Sequence, residues 1–166
     1  MGAGGDLLFT KFLQTKRDWK LTLIRVVAGG VMLPHGMQKM FGWFGGPGFS
    51  ATMRVLPHLV GIPAWLIFFS ILAEFFGALG MILGCLSRIA AFGVLMDMIG
   101  AGALSFRFGF FMNWAGAHKG EGIEYHLLMG TMALTVMIWG GGAFSIDRAL
   151  TGNRDARSPS RSGIGD

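Results

Sequence analysis

A chain of 166 residues that is 52% hydrophobic and 14% charged, with a mean hydropathy of +0.56, is too apolar for an ordinary soluble domain and has room for one membrane domain. Its net charge of +5 raises nucleic acid as a partner, but the Lys and Arg positions argue against it, because they flank apolar stretches in the manner of a membrane topology signal. A lone Cys85 excludes an intrachain disulfide, and without CxxC or CxxCH nothing here ligates an iron–sulfur cluster or attaches a c-type haem.

In chain order, residues 1–20 read as an amphipathic lead-in whose Leu7, Leu8, Phe12 and Leu13 suit the inner membrane surface. Four apolar stretches then occupy residues 21–150, roughly Leu21 to Phe44, Ala64 to Gly84, Ile89 to Phe106 and Ile123 to Gly142. Each is long enough as a helix to cross about 30 Å of hydrocarbon. The start resembles a signal peptide, but His35, Gln38 and Lys39 follow its apolar core where a small-residue cleavage site belongs, so it reads as a retained span. In that span Gly29, Gly30, Pro34 and Gly36 predict a kink.

An outer turn, Phe41-Gly-Trp-Phe-Gly-Gly-Pro-Gly48, leads into a short interfacial helix predicted over Phe49 to Leu59. The second span carries Ala73-x3-Gly77 and Gly80-x3-Gly84, small-residue faces for a neighbouring helix. Cys85 to Arg88 allows only a tight antiparallel link. The second outer loop, Ser105 to Gly122, is rich in aromatics, including Phe110, Phe111 and Trp114. Residues 151–166 are polar and predict a disordered basic tail.

Lys11, Lys16, Arg17 and Lys20 before the first span, Arg88 between the second and third, and Arg148, Arg154, Arg157 and Arg161 after the fourth outnumber Lys39, Arg54, Arg107 and Lys119 on the opposite side. That bias places both termini in the cytoplasm. Trp19 and Trp139 at inner ends, with Trp43 and Trp65 at outer ends, fit as interfacial anchors. The predicted fold is therefore all-α, a four-helix transmembrane bundle.

Ionisable residues inside such spans must face protein or a wet cavity, so each is a candidate working site. At 1.5 Å per residue, Glu74 lies roughly 15 Å and Asp97 roughly 12–14 Å from an end of its helix, both near the midplane. Arg25 starts roughly 6 Å inside the inner boundary and is long enough to reach toward either acid. Nearer the outer face, His35, Gln38 and Lys39 fall at i, i+3 and i+4 and share a helix face. Glu121, Glu124 and His126 open the fourth span at the same level, where Glu124 and His126 can meet His35 and Lys39. His118, Glu121, Glu124 and His126 also supply ligands suited to a first-row metal, but their spacing matches no strict motif and no metal is assigned. His58 reads as a loop residue. Both sets carry two readings: a proton or small-molecule site, or an ion-pair network that only locks helices together.

Three blocks in the right order resemble the DoxX family of small bacterial membrane proteins. They are Arg25 through Pro34-His35-Gly36, Gln38-Lys39 and the Phe41 to Gly48 turn; Ala73-Glu-Phe-Phe-Gly77 to Gly84 with Ser87-Arg88; and Phe110-Phe-Met-Asn-Trp114 running into Gly120-Glu-Gly-Ile-Glu-Tyr-His126. The resemblance implies a four-helix fold in the bacterial cytoplasmic membrane. It also implies a relation to the membrane subunit of thiosulfate:quinone oxidoreductase, hence an accessory subunit of a membrane redox complex. Such a subunit has no redox centre of its own, binds a quinone, and has other membrane or redox subunits or further copies of itself as partners. Against this stand a non-enzymatic assembly subunit and a small proton-coupled transporter. Fold alone does not choose among them.

Overall fold

The computed structural model describes residues 12–116 and 119–155. Leu7, Leu8 and His118, together with most of the tail from Thr151 onward, including Arg157 and Arg161, lie outside the described residues. Those described form helices, turns and no strand.

Helix α1 (Trp19–Phe41) starts where the Asp18 side chain accepts from the Lys20 amide at 2.9 Å, and it stops at Gly42, whose φ of 75° is left-handed. It stays helical through Pro34, the position where its glycines and proline predict a kink. Pro34 sits on an exposed face, and having no amide it leaves the Gly30 carbonyl without its usual helical donor. The irregularity lies in α3 (Ala64–Leu83) instead, where Ala73–Gly77 winds as a π turn.

Between them α2 (Gly48–Val60) is the predicted short helix, one residue longer at each end. Helix α4 (Ser87–Ser105) continues as a 3-10 turn over Phe106–Phe108. Helix α5 (Glu124–Trp139) has 16 residues, about 24 Å of length, and is shorter than the Ile123 to Gly142 stretch. Gly140 and Gly142, with φ of 84° and 81°, end it. Gly142 leaves no room for a side chain, since a Cβ there would meet the Asp18 carbonyl oxygen at 2.6 Å. The chain then forms α6 (Ile146–Asp155), so helix continues past Thr151, where the sequence predicts the disordered tail to begin.

Helices α1, α3, α4 and α5 pack in a ring, each against the next and α5 back onto α1. Ala28 and Met32, Ala78 and Met81, Ala91 and Val94, and Ala133 and Val136 fill the centre from the four helices in turn. Ala64–Leu83 and Ser87–Phe108 are long and apolar enough to cross a membrane, with mean hydropathies of 2.2 and 1.8, yet only 33% and 17% of their apolar windows are buried. A soluble core helix would hide that surface; here it faces outward, where lipid would cover it. Trp19, Trp43, Trp65 and Trp139 are exposed at helix ends.

Candidate functional site: a buried polar centre shared by four helices

Antiparallel packing of α1 on α3 sets the level of every charge between them. Gly36 lies so close to α3 that a Cβ would stand 2.7 Å from the Glu74 carbonyl oxygen. Lys39 is three residues beyond Gly36, about 4.5 Å along α1, and its Nζ forms an ion pair with Glu74 Oε1. The acid side chain is 7% exposed and the lysine 28%, so the pair is buried on one side and open on the other.

Arg25 does not take part, which corrects the pairing its depth suggests. It lies at the far end of α3, facing Met81, seven residues and about 10 Å beyond Glu74. There its guanidinium donates to four backbone carbonyls, those of Gly141, Met81, Ile82 and Phe144. The carbonyls of Met81 and Ile82 belong to the last turn of α3, where helix carbonyls have no partner of their own and the helix dipole favours a cation. Arg25 is 1% exposed. It is a structural clamp joining the end of α3 to the loop after α5.

Asp97 on α4 faces Glu74 across the α3–α4 seam and takes the Ser70 side chain as a hydrogen-bond partner. On α5, Tyr125 lies near both acids and His126 near Asp97. His35 of α1 is exposed, with its ring centroid 6.0 Å from that of Tyr125. Four buried atoms here have no hydrogen-bond partner among the described residues: Glu74 Oε2, Asp97 Oδ2, the Tyr125 hydroxyl and His126 Nδ1. Unsatisfied buried polar atoms are uncommon and need an explanation each. Two of these atoms belong to carboxyls that lie within hydrogen-bond reach of each other, so a single shared proton would satisfy both, and the Tyr125 hydroxyl is left without a partner beside them.

The two sets proposed from sequence are thus redistributed. Lys39, Glu74, Asp97, His35 and His126 come together, and Tyr125, which sequence reasoning passed over, joins them. Its signal was its position beside His126 at the opening of an apolar span. Gln38 instead donates to the Phe44 carbonyl at 3.3 Å and secures the turn after α1. Glu121 accepts from the Asn113 amide at 2.7 Å and Glu124 from the Met112 amide at 3.2 Å. Those two acids therefore brace the outer loop, and Glu124 does not meet Lys39, because Lys39 is already committed to Glu74. Among the described residues no three His, Cys, Asp or Glu gather as a metal-binding group.

The opposite end of the bundle holds a second structural network. Asp147 accepts from the Leu86 and Ser87 amides at 2.7 and 2.8 Å. It caps α4 from a distant segment, because the residue at the cap position, Leu86, has φ of 48° and no capping side chain. Arg88 closes α5 in the same way, through the Met137 and Ile138 carbonyls at 2.6 Å each.

A search of curated proteins and of solved structures found no match to this chain. A family model, DoxX, matches residues 20–117. The match takes in α1 to α4 with Lys39, Glu74 and Asp97, and stops before Tyr125 and His126. Covering more than half of a chain with two outward-facing apolar helices, it means that the chain belongs to the DoxX family of membrane proteins.

Proposed function

We propose that the protein is a four-span accessory subunit of a redox complex in the bacterial cytoplasmic membrane, with both termini cytoplasmic. In this reading its polar centre holds and passes a proton at a bound quinone. The observation that carries it is the facing pair of buried carboxyls, Glu74 and Asp97, with the unpartnered Tyr125 hydroxyl beside them. Lys39 balances one of two facing acids, so neutrality in a low-dielectric interior calls for one further proton or a cation. A proton between Glu74 Oε2 and Asp97 Oδ2 would satisfy both atoms at once. The Tyr125 hydroxyl and the His35 and His126 rings are suited to hydrogen-bonding a carbonyl oxygen, and exposed His35 gives access from the lipid side. A quinone bound there would carry electrons received from a partner protein, while the chain orients its carbonyl and supplies a proton.

Topology has its own support. The described ends of the chain gather at one end of the bundle, where the Ala143 amide donates to the Asp18 carbonyl at 3.1 Å. That end carries Lys16, Arg17, Lys20, Arg88 and Arg148, the bias expected of a cytoplasmic face. Cys85 lies in the same region, in the link between α3 and α4. A membrane-impermeant thiol reagent should therefore label it in inverted vesicles and not in intact cells.

The test of function is purification in mild detergent with mass spectrometry of small molecules that travel along. Bound quinone should be present in the parent protein and lost in His35→Ala and Tyr125→Phe, with thermal unfolding unchanged. Its absence from the parent protein, or its retention in both variants, overturns the reading. An assembly role has one specific observation in its favour: Phe106, Phe111 and Trp114 in the outer loop are 71%, 71% and 85% exposed, more than an isolated loop should present to water. Partner proteins that co-purify equally well with Glu74→Gln would favour that role.

A further inference from the structure

Where the described ends gather, an open groove of about 380 Å³ lies between α5, α6 and the segment before α1, within the roughly 300–1,000 Å³ of small-molecule sites. Lys16, Arg88 and Arg148 line it, with Gln14, Trp139 and Thr151, and no acidic side chain is among its described lining residues. Arg88 is fixed by its bonds to Met137 and Ile138 and by a third to the Gln14 carbonyl at 3.3 Å. Those use both Nη1 hydrogens and one on Nη2, leaving Nε–H and one Nη2–H free of the five guanidinium donors.

Lys16 is exposed and Arg148 half-buried, and neither side chain bonds or pairs with a described residue. Asp147, next to Arg148, keeps its charge but is held by the Leu86 and Ser87 amides and forms no ion pair with Arg148. Three cations therefore converge on one cavity, and none of them forms an ion pair with a described residue.

We propose that this groove binds a phosphoryl group through Lys16, Arg88 and Arg148, and that the group is the headgroup phosphate of an anionic membrane lipid. Free phosphate would use the same cations. The lipid is favoured by what adjoins them, since Leu134, Ile138 and Trp139 of α5 present an exposed apolar flank, at 40%, 48% and 43%, leading away from the groove. Acyl chains can lie along that flank while the headgroup sits among the cations. Basic cavities at the ends of membrane helices suit anionic headgroups on this principle, and Trp139 marks the interfacial level. The site is independent of the redox reading and stands without it.

The experiment uses the full chain in nanodiscs of phosphatidylcholine alone or of equal parts phosphatidylcholine and phosphatidylglycerol, extracted into detergent and examined for retained lipid by native mass spectrometry. Phosphatidylglycerol should be retained selectively. Lys16→Gln and Arg148→Gln should each weaken retention about fivefold, and the pair about twentyfold or more, at the usual strength of a cation near an anionic surface. Lys16→Arg should restore it, and Arg54→Gln with Arg107→Gln, exposed cations in the other half of the molecule, should leave it unchanged. Arg88 is left intact because it also closes α5. Equal retention of both lipids, indifference to the double variant, or displacement of the lipid by millimolar inorganic phosphate would overturn the proposal.

Discussion

The choice of partner for Glu74 is the sharpest consequence of the structure, and a double-mutant cycle measures it. Lys39→Met leaves Glu74 buried and unpaired, with 7% of its side chain exposed. Breaking a buried pair from one side costs about 3–5 kcal/mol. The lysine is 28% exposed, and partial screening puts the value near the lower limit, about 3 kcal/mol. Glu74→Gln costs less, about 1–2 kcal/mol, because Lys39 can turn outward and keep its charge solvated. With both changes there is no stranded charge, so the double variant should lose only about 2 kcal/mol, a coupling of about 2 kcal/mol. Arg25→Met combined with Glu74→Gln should instead be additive within about 0.5 kcal/mol, since those groups are about 10 Å apart along α3 and share no partner. The assay is reversible unfolding in mixed detergent micelles, followed by helical circular dichroism. An Arg25–Glu74 coupling equal to or larger than that of Lys39–Glu74 would refute the assignment of Arg25 to the carbonyl clamp.

Arg25→Lys keeps the charge but loses the planar fork that serves four carbonyls; it should destabilise by about 2–4 kcal/mol, counting roughly 1–2 for each of two lost acceptors, while leaving any bound quinone in place. Asp147→Ala removes the remote cap of α4 and should cost about 1–2 kcal/mol in the same unfolding assay, with faster amide exchange at Leu86 and Ser87. Gly36→Ala places a methyl 2.6–2.7 Å from the Glu74 and Phe75 backbone and should cost about 1–3 kcal/mol by overpacking. Gly30→Ala, with open space around it, should be neutral or stabilise by up to about 1 kcal/mol through helix propensity. Equal effects at both glycines would show that α1 does not press on α3 at Gly36.

Some of this molecule follows from composition and spacing alone. Runs of apolar residues near helix-spanning length, with Gly84 to Ser87 between two of them, require helices and a tight reversal, because unpaired backbone is too costly in an apolar setting. The first apolar run, Leu21 to Phe44, overlaps nearly all of α1, although its caps at Asp18 and Gly42 emerged only in the structure. The short helix after the outer turn is readable from Pro47-Gly48 and its apolar face. So is the presence of polar groups inside the bundle, since Glu74 and Asp97 stand in stretches that should not tolerate them.

The partners of those charges were not readable, for a geometric reason. Counting residues fixes height along a helix axis, but neither the stagger between neighbouring helices nor the direction in which a side chain leaves its helix. The stagger of α1 on α3, set by Gly36 against Glu74, brings Lys39 rather than Arg25 to the acid. The π turn at Ala73–Gly77 alters how α3 presents Glu74, and no periodicity of 3.6 anticipates it. The loop that begins at Gly140 carries carbonyls back to Arg25, and Asp147 just beyond it reaches back to α4, across more than fifty residues of sequence. Spacing along one chain carries no record of such returns, whereas the apolar solvent that forces every charge to find a partner is written in the composition itself.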